Sequence, residues 1–436
     1  MKRKIVIKPI TLGIYSMAFI LLVGYSDDIN ATKLVQVNSQ KNTQSFTEYK
    51  GIIIDSETKK TLVFADININ NTNIRTVTNK EGEFLLKVPN NFLGKMITVS
   101  YLGYETIEIW LNKLHNNINT ISLNISITEL NQVKINMPND ALSLVKMALS
   151  RKNENYYDKQ AIMTAFYREA VRKGKRNASL SEAVVEIYKQ PYKALRKDQI
   201  NMVKSRKNTN YSRLDTLALK LQGGPFTTLY TDIVKYPEYI FNEDTFQQYE
   251  FNFDKSTEIN DRQVYTVRFK QIEVENSPLY YGKLYIDAET FTLVSAAYSL
   301  NLKNIEEASQ MFIRKKPAKV SVEPTEATYR VDYKTKNGKW HYGYSNIQAA
   351  FKVKWKNKIF SNTYTLDIEM AITDWIVNAT GDSKPDNSLK SSIILIDEAS
   401  GFSDPEFWGE YNIIEPEKSI ESAIKKIAKQ LNRAQS

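Results

Sequence analysis

Short apolar stretches, cut at regular intervals by turn residues, fill the segment from Gly51 to Leu123, and a chain punctuated in this way has room for strands but not for helices. The strand candidates are residues 52–54, 64–69, 75–78, 84–88, 96–101, 105–110 and 119–123. The turns between them are built on Asp55 to Thr58, Asn70 to Asn73 and Asn79 to Gly82. Seven short strands in so few residues are the count of a β-sandwich. The 26 Tyr, 18 Phe and 5 Trp of the 436-residue chain carry the same tendency beyond this segment, because flat side chains suit a pleated, half-buried surface.

Within this segment Gly51 stands with Asp55, Thr61 precedes Ala65, and Thr76 and Thr78 precede Gly82, Glu83 and Phe84. Ser100 to Tyr104 and the closing run Leu130, Asn131, Gln132 and Val133 complete a pattern that resembles the carboxypeptidase regulatory-like domain over residues 48–135. The resemblance implies a seven-stranded transthyretin-like (prealbumin-like, Ig-like) sandwich and an exported protein of a Gram-negative bacterium. The same module precedes the plug of TonB-dependent receptors, which implies an association with outer-membrane transport or glycan uptake. Asn71 replaces a turn Gly and Asn79 replaces the usual Asp, so cation coordination by that carboxylate does not carry over.

The first residues hold Lys2, Arg3, Lys4 and Lys8 without an acid, followed by an apolar run from Ile10 to Val23, the order of a secretory signal. The expected arrangement is a signal peptide over 1–26, with cleavage at Ser26 or as late as Ala31, and a linker over 27–47. The run falls short of the ~20 apolar residues of a membrane span. Tyr25 stands where a lipoprotein would need its acylated cysteine, and the chain has no cysteine, which excludes Cys acylation, disulfides and thiolate chemistry. Without the four signal cations, 55 basic residues face 49 acidic ones, an excess suited to an anionic membrane or glycan surface or to a solvated lysine-rich exterior. The expected location is periplasmic or outer-membrane-associated.

Residues 136–436 read as an α+β domain. Ala141, Leu142, Leu144, Val145, Met147, Ala148 and Leu149 make an apolar face of a helix capped by Asp140 or Asn139. A hairpin is expected over 164–171 and 179–188, and a long exposed basic excursion over 193–213. Strands are expected over 264–269, 283–286 and 292–300, then four more over 327–333, 339–344, 348–355 and 363–372. Together they make a large curved antiparallel sheet of eight or more strands. Pro416 followed by Ile420, Ala423, Ile424, Ile427 and Leu431 predicts a closing amphipathic helix. The helix-then-sheet order and the turn from Tyr285, Ile286 and Asp287 to Thr290 are similar to the half-barrel of lipoprotein carriers. Phe166 to Glu169, Gly282 to Asp287, and Phe407 to Gly409 with Tyr411 and Asn412 resemble the uncharacterised region that accompanies the regulatory-like domain in exported proteins.

Catalytic constellations are not found. His115 and His341 are the only histidines and belong to neither an HxxE nor an HExxH spacing, so a zinc peptidase is not expected. Gly401, Phe402 and Ser403 lack the second Gly of a nucleophile elbow. Glu182 and Glu186 would lie roughly 13 Å apart on a solvated strand face, too far for paired glycoside chemistry. Asp397, Glu398, Asp404 and Glu406 read as loop acids. Gly223, Gly224 and Pro225 form a turn, not a phosphate loop. The basic residues Arg196, Lys197, Lys204, Arg206 and Lys207 near Tyr211 carry no nucleic-acid motif. Phe407, Trp408 and Tyr411 are the candidate interaction surface, with packing of the last segment into the core as the alternative. The expected function is a non-catalytic envelope binding or scaffold protein, without cofactor, metal or nucleic acid. The alternatives are a carrier of lipid or lipoprotein with an apolar cavity, and a carboxylate-dependent hydrolase.

Overall fold

The computed structural model describes residues 20–24, 46–101, 103–115, 117–126, 138–174, 176–209, 218–259, 262–272, 278–316, 318–377, 385, 387–401 and 407–417. The cleavage positions Ser26 and Ala31, the run 130–133, Tyr211, Asp404, Glu406 and the amphipathic pattern from Ile420 to Leu431 lie outside these residues. The end of the N-terminal apolar run forms strand β1 (Ile20–Gly24). No helix among the described residues is long and apolar enough to cross a membrane.

The seven strands expected of the sandwich are present as β2 (Phe46–Asp55), β3 (Asp66–Ile69), β4 (Arg75–Val77), β5 (Glu83–Pro89), β6 (Met96–Ser100), β7 (Ile107–Trp110) and β8 (Ile118–Leu123). They pair as two sheets, β5-β2-β8 and β4-β3-β6-β7. Alternate residues point inward, so Ile53, Ile67, Ile69, Leu86, Val88, Ile97, Val99 and Leu123 meet in a core with no solvent exposure. Gly51 is required by close approach, since a Cβ there would meet the Asn119 carbonyl and the Phe84 ring at 2.5 Å. Asp55 closes the first turn by accepting from the Thr58 and Glu57 amides and the Tyr104 hydroxyl, which hold its carboxyl down at about 2.

The asparagines that depart from the family pattern have physical roles. Asn71 adopts φ 59°, a left-handed turn conformation that Asn tolerates. The Asn79 side-chain oxygen accepts from the Glu81 and Glu83 amides at 2.9 Å, as an Asp would. Its amide nitrogen also donates to the Glu415 carbonyl at 3.1 Å, a bond that a carboxylate could not make.

The second domain opens with α1 (Ala141–Ser150), where Asp140 accepts from the Ser143 amide at 2.8 Å and Ala141, Leu144, Val145 and Ala148 are buried. A short turn, α2 (Lys152–Asn155), leads to β9 (Ala161–Lys173), β10 (Arg176–Lys189), β11 (Gln199–Thr209) and β12 (Ala218–Gln222). Then come α3 (Pro225–Leu229), α4 (Glu243–Phe246), β13 (Tyr249–Ile259), β14 (Arg262–Gln271), β15 (Tyr280–Asp287) and β16 (Leu293–Leu300). The chain continues through α5 (Ile305–Phe312), β17 (Ile313–Lys315), β18 (Val320–Lys336), β19 (Lys339–Trp355), β20 (Asn362–Val377), α6 (Leu395–Glu398) and β21 (Ser400–Gly401).

Ten of these strands form one antiparallel sheet in the order β13-β14-β15-β16-β18-β19-β20-β9-β10-β11, and β21 adds a two-residue parallel edge. The sheet is not closed into a barrel. Three expectations are corrected. Within the excursion over 193–213, residues 199–209 form strand β11, because Ile200 is buried inward while the charges find partners on the other face. The stretches 339–344 and 348–355 are one strand of 17 residues, β19, joined through Ser345 and Asn346 without a turn. Strand β13 is missing from the expected set although Tyr249, Phe251 and Phe253 alternate with polar residues, and it is held at the edge by β14.

The inner face of the sheet carries Tyr167, Ile187, Ile347 and Ile368, and is covered by α1, by the segment from α3 to α4 and by α5. Phe241 anchors the covering segment, with its ring 5.1 Å from Phe269 and 5.4 Å from both Phe246 and Tyr249. A second sheet of three strands, β12-β1-β17, lies beside α5. The outer face carries Phe166, Val184, Tyr344 and Ala371, on which Val77 and Leu85 of the sandwich and Trp408, Ile413 and Ile414 are packed.

Candidate functional site

Polar groups are buried on both faces of the sheet. On the inner side, Lys189 at the end of β10 donates to Asp198 at 2.8 Å and to Asp232 at 2.7 Å, with all three side chains almost fully buried. Asp232 also accepts from Tyr192 and Tyr333 hydroxyls at 3.0 Å, and Asp198 from the Tyr236 hydroxyl at 2.7 Å and the Gln190 amide at 2.7 Å. Burial pulls the Lys189 ammonium down, but the two carboxylates together outweigh it and its pKa is raised. The tyrosines are kept neutral by burial, so their hydroxyls act as donors. Asp232 lies in the covering segment and Tyr333 on β18, so this cluster fixes that segment to the sheet.

Nearby, Lys235 donates to the Pro191 and Ala194 carbonyls at 2.8 and 2.6 Å, and burial lowers its pKa to about 8. Glu169 is the isolated acid of the inner face. It accepts from the Tyr167 hydroxyl at 2.6 Å, and burial raises its pKa to about 7. The folded state thus favours its protonated form, and the stability this contributes is lost as pH rises from about 4.5 through 7. Glu169→Gln is therefore expected to stabilise the protein at pH 8 by on the order of 2–3 kcal/mol, and by much less at pH 5. Thermal unfolding at the two pH values checks this, and an equal shift at both would contradict it.

On the outer face Arg168 donates from Nε to Glu182 at 2.7 Å, from Nη1 to Glu369 at 3.1 Å and from Nη2 to the Ile414 carbonyl at 2.8 Å. Arg206 donates to the other Glu182 oxygen at 2.8 Å. Glu182 has no exposure, and although burial alone would raise its pKa, two guanidinium groups lower it. Burial raises Glu369 to about 7. The solvated strand face expected for Glu182 is thus a buried ion cluster. Glu186 stands apart, accepting from Asn201 at 3.2 Å.

Phe407, Trp408 and Tyr411 lie on this cluster. Trp408 is buried, edge-on to Phe166 at 5.4 Å and with the Arg206 guanidinium 4.7 Å from its ring centroid, while Phe407 and Tyr411 are half-buried around Lys204. The segment 407–417 runs between the two domains. Asn412 accepts from the Lys87 amide at 2.7 Å and donates to its carbonyl at 3.1 Å, and Thr76 donates to the Ile413 carbonyl at 3.0 Å. Lys80–Asp367 and Lys334–Asp66 ion pairs tie the sandwich to the sheet directly. What these aromatic residues bind in this structure is the chain's own interdomain seam.

The histidines are not brought into any acid cluster. His115 is exposed, and His341 is buried against Trp375 with Nδ1 3.0 Å from the Tyr342 carbonyl. Burial and then Arg75 lower His341 to about 3, so its ring is neutral. Among the described residues no group of three or more His, Cys, Asp or Glu side chains is placed to hold a metal ion. Asp397 and Glu398 are exposed on α6, and Gly223 and Gly224 have positive φ and lead Pro225 into α3.

With this geometry in view, a family model describing a CarboxypepD_reg-like domain matches residues 49–135. Residues 49–135 are a CarboxypepD_reg-like domain. A search of curated proteins finds no match to the chain. Among solved structures, the chain is similar to a domain assigned to outer-membrane lipoprotein sorting from Vibrio parahaemolyticus. That likeness has 11% identity and a TM-score of 0.25, over 55% of this chain and 92% of that one. A DUF1329 family protein from Desulfovibrio piger matches at 8% identity and a TM-score of 0.22, over 56% of this chain and 95% of that one. A structure of lipovitellin matches at 8% and 0.25, over 55% of this chain and 27% of that one. Scores of this size establish neither fold nor function. The CarboxypepD_reg-like domain itself sits on the outer face, with β4 against β20.

Proposed function

We propose that this is a non-catalytic envelope binding protein that carries an apolar ligand, a lipid or an acylated protein, on the inner side of its large sheet. The observation behind this reading is the position of β1. The backbone of an apolar segment, Ile20 to Gly24, lies as a guest strand between β12, which it pairs antiparallel, and β17, which it pairs parallel. If the N-terminal segment is removed as a signal, that place is vacated. The space beside α5 then needs another apolar occupant, since unpaired strand edges and bare apolar surface are both costly. Asp198 and Asp232 of the inner face are committed to Lys189, which favours binding over hydrolysis.

Native mass spectrometry and lipid extraction on the mature protein, purified gently from its own envelope fraction, test this. Stoichiometric lipid or acylated protein is the expected result. A protein partner without lipid, or an empty protein, would favour the scaffold reading. That second reading has its own support in the sandwich, where edge strand β7 ends in Trp110, half exposed at 50%, and edge strand β8 begins with the exposed Ile118.

A further inference from the structure

The hairpin joining the two long strands β19 and β20 has an unusual tip. Its residues run Lys356, Asn357, Lys358, Ile359, Phe360 and Ser361, and the two apolar side chains are 86% and 83% exposed. A lone exposed apolar residue is ordinary, but the two adjacent large ones at the tip of this hairpin are not covered by anything in the described structure.

The surroundings of the tip are basic. Lys352 and Lys354 alternate with buried Phe351 and Val353, so both project outward on the strand leading to it. The start of β18 lies alongside, with the Lys356 amide bonded to the Lys319 carbonyl at 2.9 Å and Val320 in register with Trp355. This brings Lys316 and Lys319 to the same end of the sheet. The turn after β9 lies on the other side, where Lys173 is in register with Tyr364. The nearest acid in the pairing is Glu323, opposite Lys352. Among the described residues Lys319, Lys352, Lys354 and Lys356 make no ion pair, and all four are exposed.

We propose that this end of the sheet docks on an anionic lipid bilayer, with Ile359 and Phe360 entering the interface and the surrounding lysines meeting lipid phosphates. Apolar insertion supplies hold and the lysine ring supplies attraction to negative headgroups, and peripheral membrane binding needs both. The tip stands on two long strands of 17 and 16 residues, so insertion does not require the fold to open. This inference rests on the hairpin alone and holds whether the protein carries a lipid or not, so lipid extraction and vesicle binding can fail separately.

The test is sedimentation of the full chain with phosphatidylcholine vesicles, with and without phosphatidylglycerol. The wild-type protein should bind only the anionic vesicles, and less tightly as salt is raised. Ile359→Ser together with Phe360→Ser should weaken that binding at least about tenfold. Lys352→Glu with Lys354→Glu and Lys356→Glu should weaken it on the order of a hundredfold or more. All five positions are exposed, and unchanged circular dichroism and thermal midpoint would show that the variants are folded. Failure of the wild type to bind, equal binding to neutral vesicles, or folded variants that bind like the wild type would each overturn the proposal.

Discussion

Arg168→Ala is expected to destabilise the protein by about 3–5 kcal/mol and to loosen the seam between its domains. The guanidinium spans Glu182, Glu369 and the Ile414 carbonyl, and each loses a buried partner at once. Glu182 keeps Arg206, but Glu369 is left without its guanidinium partner in a site where burial already favours its neutral form. Such a loss exceeds that of a surface ion pair, which contributes about 0–1 kcal/mol. Urea unfolding followed by tryptophan fluorescence measures it, and Trp408 should also shift toward a solvated spectrum before the main transition. A loss below about 1 kcal/mol would mean that apolar packing and the other polar contacts of the seam, those of Asn412, Thr76 and Lys80, hold it without Arg168.

The second large effect is expected at Lys189. Lys189→Met removes the cation between two almost fully buried carboxylates, Asp198 and Asp232, and should also cost about 3–5 kcal/mol at pH 7.5. Here the pH dependence carries the information. Without the ammonium, two buried carboxylates are left close together with no cation between them, a repulsion that acid relieves. The variant should therefore recover much of its deficit as pH falls toward about 5, and Asp232→Asn added to it should recover part of it at neutral pH. A deficit independent of pH would place the effect in lost packing of the lysine stem. Limited proteolysis between Gly223 and Gln248 should also speed up in the variant, because Asp232 pins that segment to β10 and β18.

The sandwich was legible because its periodicity is strict and its turns use residues with fixed conformational roles, as Asp55, Asn71 and Asn79 show. The hairpin β9–β10 and the helix start at Asp140 were readable for the same reason. Strand β11 was not, because all six residues from Lys204 to Thr209 are polar or charged in a way that suggests solvent. The missing information was tertiary: Arg206 is charged because Glu182 and the Trp408 ring lie opposite it. Similarly, Glu182 looks like a surface residue until Arg168 is placed in register with it on β9. The Lys189 cluster joins residues 9 and 43 positions apart, with no spacing rule to connect them. The signal that was available at Phe407, Trp408 and Tyr411 was aromatic density, which marks burial against a partner but not whether that partner is another molecule.

The path of residues 407–417 has a consequence for how the protein is made. Arg168 is synthesised 246 residues before the carbonyl that completes its coordination, and Lys87 325 residues before Asn412. A chain emerging from amino to carboxyl end would have its sandwich and all ten antiparallel strands in hand while the seam between them still lacked its filling. Final assembly is therefore a late event, governed by the arrival of the last described segment. Until then, the outer face would present uncompensated charge and bare aromatic surface of the kind that folding helpers and proteases recognise. A chain cut short before Phe407 would keep that mark permanently, so the seam distinguishes finished molecules from unfinished ones.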